Sequence, residues 1–534
     1  MSKSKTFLFF CLSFICGIAM RSFVNINIPI YESLMIAAVA LVFLWQNNKS
    51  RYVTLGIIFL ILGAWHMDQK MDNLLQLHSD DTFSTIKQFY ATVIEEPSLT
   101  DTDQEIIVSS ALDGTQIFIR ARFYPDYKYG DILNIICDTR AVDLNSFGMY
   151  LLSKNITRQC RYPKITIVGN DSNTSIKANL INIRQKFSRV LINVLPAPES
   201  SLLNGLLVGT KDNFSKELKE LFRKTGTSHI VALSGWNITI IISIVAYIFL
   251  ICLIHPRYNF WLTIVFIVLF IVMVGGSASI MRAAFMAIAV LIAKQSGRLA
   301  NTVNVLIFAL TIMLVLNPMI LRWDLGFQLS FLAMLGLIYI DPILTYFWIS
   351  ISFIRYGNIL RYLNLKFRIV NMRLNNQNAK FSANGGSTSG GKAQKAPRNK
   401  HAAYPGIVAK ILISTLSAQI VTLPLIVYSF HNLPLLAPIA NVLIIPLIPG
   451  VTIMGFIIGL VGLLYLPLAK LLGFLVWPFL KYIFLIMELF ASLNMAVVTI
   501  DHMSLILLIW YYILLIYFII KMQPRRNCQR SCED

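Results

Sequence analysis

The sequence predicts a mainly α-helical, polytopic membrane protein with about 10–12 membrane segments and one small all-β domain inserted among them. Composition is the first observation: 56% of the 534 residues are hydrophobic, 13% are charged and the mean hydropathy is +0.66. Soluble domains are about a quarter charged. The second observation is the recurrence of apolar runs close to the ~20 residues that cross a bilayer. The third is one polar stretch, 67–178, whose short alternating runs are typical of strands.

The net charge of +20 is concentrated outside one segment. Met67–His229 contains 19 acidic and 19 basic residues, whereas the rest of the chain contains 7 acidic and 27 basic residues. Ten of those 27 lie between Arg355 and Lys400, so the basic bias of cytoplasmic loops explains most of the excess. The remainder is also compatible with a path for a polyanion.

Residues 1–66 are predicted to contain three membrane helices: Phe7–Met20, Pro29–Trp45 and Tyr52–Trp65. No small-x-small cleavage site follows the first run, so we expect it to be retained. Lys3 and Lys5 precede the first helix, and Lys49 and Arg51 lie between the second and third. Basic residues favour the cytoplasmic side, and three crossings therefore bring the chain to the outer side.

Residues 67–178 are predicted to form an exported β domain. Five runs rich in β-branched and aromatic residues indicate strands: Phe89–Ile94, Glu105–Ser110, Gln116–Phe123, Asp131–Cys137 and Lys164–Val168. Asp113-Gly114 predicts a hairpin. A small barrel, including an OB-like one, and a sandwich both fit this spacing. Cys137 and Cys160 are candidates for a disulfide, because the predicted topology places them in a compartment that permits one.

Residues 179–229 are predicted to hold amphipathic helices at the membrane surface or across the mouth of the helical bundle. Asn179–Val194 and Ser215–Lys224 have a helical period but are too polar to span a bilayer. Ser215 can cap the second helix and Gly226 can end it.

The membrane core is predicted in two parts, 230–354 and 405–522. The first part contains apolar segments at Ile230–Ile254, Phe260–Val274, Ser279–Ala293, Thr302–Leu316 and Leu325–Ile354. The second contains Ile407–Phe430, Leu435–Leu460, Ala469–Phe490 and Ser504–Lys521. Between them, 355–404 is predicted to be a basic cytoplasmic linker, and 523–534 a cytoplasmic tail.

Four of the polar side chains within these apolar segments are candidates for a functional role. Arg282 is costly there and is expected to face a cavity, with snorkelling to the interface as the alternative. Gln328 and Gln419 are expected to hydrogen-bond between helices, with pore lining as the second interpretation. Asn441 lies among several prolines, a pattern that favours discontinuous helices beside a cavity over simple kinks.

His229 and Ser234 raise the hypothesis of an intramembrane serine hydrolase. The segment Ala232-Leu233-Ser234-Gly235 lacks the first glycine of a Gly-x-Ser-Gly motif. A serine and a histidine without a placed third group are not a triad. Capping and anchoring of a helix entry by Thr225 and His229 is the favoured interpretation.

The stretch 202–238 resembles the central signature of the ComEC family of competence DNA-uptake proteins. The similarity is carried by a Leu-rich turn with glycines, an amphipathic helix and a Thr-Gly-x-Ser-His … Ser-Gly run: Gly205, Gly209, Leu218, Phe222, Arg223, Thr225, Gly226, Ser228, His229, Ser234, Gly235 and Ile238. Later stretches resemble the family in the same order: Ser279–Ala284, Gly326–Phe331, Ala418–Pro424, Asn441 and Pro446. Tyr129–Asp131 and Phe147–Ile156 are similar to the end of the family's OB-like domain.

The resemblance implies a channel that passes single-stranded DNA inward across the cytoplasmic membrane during natural transformation. Its implied partners are single-stranded DNA, membrane lipid, a periplasmic or surface DNA-binding protein, a separate nuclease, and a cytoplasmic helicase or strand-binding protein. Many members carry a C-terminal metallo-β-lactamase-like domain with clustered histidines. The seven histidines here include no such cluster, so no metal, cofactor or enzymatic activity is expected.

Two further expectations accompany the resemblance. The chain has no Walker A motif, so ATP hydrolysis by that route is not expected. The family usually has histidine at the position of Asn237, and a role that needs an imidazole there is not carried over. A transporter-like member with a different substrate is therefore kept as an alternative.

Overall fold

The computed structural model describes residues 3–23, 36, 40–41, 48–79, 88–100, 102–170, 175–209, 214–231, 235–298, 300–350, 406–493, 497–500 and 503–522. They form two compact units. The first comprises the described residues of 1–331 and 432–500, and the second those of 332–431 and 501–534. Most of the predicted helix Pro29–Trp45, the linker 355–404 and the tail 523–534 lie outside the described residues.

The described chain is mainly helical, as the composition predicts. The helices are α1 (Lys3–Phe23), α2 (Asn48–Ser79), α3 (Ser146–Ser153), α4 (Ile176–Val194), α5 (Glu199–Val208), α6 (Lys216–Thr225), α7 (Ser228–Val231), α8 (Gly235–Ile251), α9 (Pro256–Val274), α10 (Ala278–Gln295), α11 (Thr302–Leu316), α12 (Ile320–Trp323), α13 (Leu325–Tyr339), α14 (Ile407–Phe430), α15 (Ala437–Ile444), α16 (Ile448–Leu464), α17 (Leu466–Ala491) and α18 (Leu505–Met522). Among the described residues, nine helical segments are long and apolar enough to cross a membrane, and two apolar helices are shorter.

All five predicted strands of the β domain are present. The strands are β1 (Gln88–Val93), β2 (Ser98–Leu99), β3 (Asp103–Ser110), β4 (Gln116–Arg122), β5 (Asp131–Ile136), β6 (Arg140–Ala141), β7 (Ile156–Arg161) and β8 (Lys164–Asn170). The sheet order is β6-β7-β4-β3-β1-β5-β8, with β2 beside β3; β4 and β7 pair in parallel and the other pairs are antiparallel. Buried residues alternate along β3, the pattern of a strand with one face in a core. The strands β2, β6 and β7 are additions to the sequence prediction.

The helix α2 anchors one side of this domain. It was expected to end near Trp65, but it continues to Ser79. Met67 and Leu74 from this extension are buried in a cluster with Met149 and Leu152. The His78 Nε2 atom lies 2.7 Å from the carbonyl oxygen of Val142. The apolar residues of this extension recur at helical spacing and face the β domain, and this packing favours a helix up to Ser79.

The helix α4 holds another side of the domain. Arg184 forms an ion pair with Glu96, and Gln185 Nε2 donates to the same carboxylate at 2.8 Å. Lys177 Nζ donates to the Ile94 carbonyl at 2.7 Å and lies 5.0 Å from the centroid of the Tyr129 ring. The N-terminal part of α4 is thus tied to the β domain by charged contacts.

The C-terminal part of α4 packs on a glycine face of α16 and α17. A Cβ atom on Gly459 would overlap the Phe187 ring, one on Gly462 would overlap Val190, and one on Gly473 would overlap Val194. A Cβ on Gly455 would lie 2.5 Å from Leu203 of α5. Small residues at such spacing allow helix backbones to approach closely. The glycine face of α16, defined as Gly455, Gly459 and Gly462, therefore receives both α4 and α5.

The predicted segment Leu435–Leu460 is not one helix. It forms α15, a 3-10 turn over Ile445–Leu447, and α16. Pro446 and Pro449 lack the N–H groups that a continuous helix would need there. Likewise, the predicted segment Leu325–Ile354 is interrupted at Ile340, and helix resumes over 341–350.

In the second unit, α14 and α18 are joined by tyrosine hydroxyls. Tyr511 donates to the Ile420 carbonyl at 2.8 Å and Tyr512 to the Val421 carbonyl at 2.9 Å. Pro424 lies within α14. Residues near this proline are therefore bonded to a neighbouring helix.

We predict that Gly459→Ala destabilises the protein, because the new methyl group overlaps the Phe187 ring, which packs against this glycine. The expected cost is about 1–3 kcal/mol, typical of overpacking. The measurement is the thermal unfolding midpoint of the purified protein in detergent. Gly450→Ala is the matched control, since it lies on the same helix with no atom within 4 Å of the added group. Equal midpoints for the two variants would contradict the packing role.

Candidate functional site

The motif residues Thr225 and Gly226 form the end of α6. Thr225 Oγ1 donates to the Leu221 carbonyl at 2.8 Å and lies 2.7 Å from Thr227 Oγ1. Both threonines are buried. Ser215 caps the other end of the helix by accepting a hydrogen bond from the Leu218 N–H at 3.2 Å. The predicted cap and stop of this helix are confirmed.

The backbone conformation and the close packing at position 226 both favour glycine. Its φ of +66° lies in the left-handed region. A Cβ there would also lie 2.6 Å from Ala437 Cβ and 2.9 Å from the Pro434 side chain. The turn after α6 therefore packs directly against the start of α15.

His229 follows on the short helix α7. Its Nδ1 atom lies 3.0 Å from the Gly226 carbonyl oxygen, so the side chain is held by the same turn. The imidazole keeps accessible surface, yet the protein around it lowers the pKa of His229 by desolvation, and the Gly226 hydrogen bond opposes this shift. Ser234, the other member of the hydrolase hypothesis, lies outside the described residues.

Gly235, Arg282 and Ser330 meet where α8, α10 and α13 come together. A Cβ on Gly235 would lie 3.6 Å from Arg282 Nη2. Arg282 Nη1 donates to the Ser330 carbonyl, and the Ser330 hydroxyl lies 3.2 Å from the hydroxyl of Ser279. The guanidinium carbon is 5.8 Å from the centroid of the Phe331 ring. We call Gly235, Ser279, Arg282, Ser330 and Phe331 the arginine site.

The charge of Arg282 is desolvated. Its residue surface is only 9% exposed, and within the described part of the chain no carboxylate forms an ion pair with it. A buried cation with neutral partners attracts an anion strongly, because the low dielectric leaves its charge poorly screened. The burial of Arg282 argues against snorkelling to the interface, and a cavity beside it stays a prediction.

A set of buried polar side chains accompanies the arginine site in the first unit. Asn237 is buried and its Nδ2 donates to the Leu206 carbonyl of α5 at 3.3 Å. The side-chain oxygens of Asn204, Asn441 and Thr452 are buried and have no hydrogen-bond partner among the described residues. Such groups are costly unless a partner or water completes them.

Sequence reasoning missed Asn204, Thr452 and the helix α5. Every residue of α5 is buried, including Glu199 and Ser200. An amide inside the otherwise apolar run Leu202–Val208 is the signal that could have identified Asn204. Nothing in the sequence alone indicated that a ten-residue helix lies in the centre of the unit.

The two candidate glutamines, Gln328 and Gln419, lie on different helices, α13 and α14. Gln328 Nε2 donates to the carbonyls of Leu321 and Arg322, at 2.9 and 2.8 Å. It therefore bonds the end of α12 to α13, in agreement with the expected helix-to-helix role. Gln419 is half-buried in α14 of the second unit.

The β domain carries its own features. Cys137 and Cys160 form a disulfide, which links the end of β5 to β7. A cavity of about 170 Å³ beside them is lined by Phe118, Arg120, Asn145, Phe147, Gln159 and Arg161, among others. Arg120 is ion-paired with Glu105 at 3.0 Å, so part of the positive charge here is neutralised. Within the described residues, no group of three or more His, Cys, Asp or Glu could hold a metal ion.

The described residues form a mainly helical protein with nine apolar helices of membrane-spanning length. This is typical of a multi-pass membrane protein. The chain belongs to the competence protein family of the ComEC type: the family model, described as Competence protein, matches residues 206–525, more than half of the chain. The match includes the motif turn, the arginine site and Asn441.

A curated relative agrees with this membership. The chain is 23% identical over 192 residues to ComE operon protein 3 of Bacillus subtilis (strain 168), an alignment that covers 36% of this chain and 24% of the relative. The aligned part thus spans about a quarter of the relative's length. No solved structure matches the chain.

We predict that Gly226→Ala destabilises the protein more than Gly297→Ala. Both glycines have φ near +65°, so both variants meet the same backbone strain. Only at position 226 does the added methyl group meet neighbours, because nothing lies within 4 Å of a Cβ on Gly297. The difference in thermal midpoint in detergent isolates the packing, for which we expect an additional ~1–3 kcal/mol. Equal losses would show that the contact with Pro434 and Ala437 contributes nothing.

Proposed function

We propose that the protein passes a single strand of DNA inward across the cytoplasmic membrane in natural transformation, and that the arginine site contacts the strand. Family membership supports a role in competence. The observation that carries the proposal is the burial of Arg282, a cation in an apolar helix. Its Nη2 atom lies 3.6 Å from the position that a Cβ atom on Gly235 would occupy. A charge at such a position is usually kept for a substrate pathway.

The chemistry of the site suits a phosphodiester backbone. The guanidinium offers a planar set of donors that matches phosphate oxygens. The buried Phe331 ring beside it is of the type on which bases stack in sequence-independent binding of single strands. The unsatisfied oxygens of Asn204, Asn441 and Thr452 support a hydrated interior, since water is the usual partner of such groups.

The proposed orientation places the β domain, as an OB-like domain, on the periplasmic side of the inner membrane. The Cys137–Cys160 disulfide supports an oxidising compartment. The ten basic residues between Arg355 and Lys400 support a cytoplasmic position for that linker.

In this proposal the chain is a conduit and not an enzyme, and it needs no cofactor. The driving force is assigned to a cytoplasmic helicase or strand-binding protein. Conversion of duplex to single strand is assigned to a separate nuclease, and delivery to a periplasmic or surface DNA-binding protein.

The test is uptake of labelled DNA into the cytoplasm of a deletion strain complemented with wild type, Arg282→Gln or Arg282→Lys. We expect Arg282→Gln to lower uptake about tenfold or more, since a hydrogen bond to a charged group contributes ~1.5–3 kcal/mol. Arg282→Lys keeps the charge and should retain part of the uptake.

Lys294→Gln is the matched control, because it removes one exposed cation from the same helix. Membrane abundance and thermal midpoint of each variant separate loss of transport from loss of folding. Full uptake by a stably folded Arg282→Gln protein removes Arg282 from the path. Unchanged uptake in the deletion strain overturns the proposed function.

A further inference from the structure

The helix α4 carries a polar face that the proposed function has not yet used. Its exposed residues include five polar side chains at helical spacing: Asn179, Asn182, Lys186, Arg189 and Asn193. At 3.6 residues per turn they fall within an arc of about 80° and extend over about 21 Å of helix. We call these five residues the α4 polar stripe.

The charge of this helix is of one sign. The 19 residues of α4 contain four basic residues and no acidic residue. Lys177 and Arg184 are engaged by the β domain. Lys186 and Arg189, by contrast, are exposed and have no hydrogen bond or ion pair with any described residue. The α4 polar stripe therefore presents two unneutralised cations with amide side chains on either side.

Part of the remaining surface of α4 is packed on other elements. Phe187, Val190 and Val194 fill the space left by glycines of α16 and α17. The N-terminal part is bonded to Glu96 and Ile94 of the β domain. The α4 polar stripe thus begins near the contacts of α4 with the β domain. It continues along the part of α4 that packs on α16 and α17.

We propose that the α4 polar stripe is a track for the phosphate backbone of the single strand between the β domain and the helical core. This inference rests on the proposed function and adds the residues that guide the strand. Lysine and arginine bind phosphate, and asparagine amides donate to phosphate and sugar oxygens without reading sequence. Ile183, half exposed beside Lys186, adds apolar surface against which a sugar or base packs.

The observations favour a nucleic acid strand over lipid headgroups. An interfacial helix inserts its apolar face into the bilayer. In α4, Phe187, Val190 and Val194 are already packed on protein, and Ile176, Ile183 and Ile192 keep exposed surface. Clusters that recognise anionic lipid contain about 4–8 basic residues, whereas two free cations and three amides are present here.

The test is binding of fluorescent oligo-dT to the full chain in nanodiscs of phosphatidylcholine, over a range of salt. Lys186→Gln/Arg189→Gln is compared with Lys186→Arg/Arg189→Lys and with Lys219→Gln/Lys224→Gln on α6, a control that removes two exposed cations elsewhere. We expect only the first variant to bind more weakly and to lower the slope of log Kd against log salt by about 1.4, or 0.7 per phosphate contact. Substitution of Lys186 and Arg189 removes no described contact, so folding of the first variant is retained.

Three outcomes overturn the inference. One is an unchanged salt slope in the first variant. A second is that the variant loses binding to phosphatidylglycerol vesicles while oligo-dT binding is unchanged, which assigns the stripe to lipid. In either case uptake that still depends on Arg282 leaves the proposed function standing. The third is that wild type neither binds oligo-dT nor takes up DNA, in which case both proposals fall.

Discussion

The close approach of α4 and α5 to the glycine face of α16 is the contact on which the first unit depends. This face has no side chains at Gly455, Gly459 and Gly462. Side chains of α4 and α5 therefore fill the space beside these glycines. In an apolar environment this packing is the main force between helices, because lipid tails offer the same hydrophobic surroundings as leucine. The glycine face therefore determines where two amphipathic or partly polar helices are held.

The position of the β domain follows from this constraint. Its Glu96 is bonded to α4, and α4 is held by α16, so the chain of contacts runs from the sheet to the helical core. The extension of α2, with Met67 and Leu74 packed on Met149 and Leu152, provides another attachment. Two separate attachments thus join the β domain to helices of the first unit.

The polar interior gives the unit its chemical character. Arg282, Asn237 and Asn441 are all buried, although each is expensive in an apolar surrounding. Arg282 and Asn237 donate to backbone carbonyls, at Ser330 and Leu206, and among the described residues no ion pair neutralises the charge of Arg282. A protein that only needed stability would be better served by apolar residues at these positions. In the proposed function, these polar residues are what connects the fold to transport of a charged polymer.

The sequence by itself determined the features that depend on local period and composition. These include the membrane-length helices, the five strands of the β domain, and the cap and stop of α6 at Ser215 and Gly226. Only the tertiary structure showed that α5 is wholly buried, that α2 extends to the β domain, and that Gly235 lies beside Arg282. The physical reason is that hydrophobic period acts within one element, whereas the surroundings of a polar side chain are set by residues far away in the chain. The same reason explains α4, whose amphipathic pattern was visible but whose apolar face could be assigned to glycines of α16 only once the helices were packed.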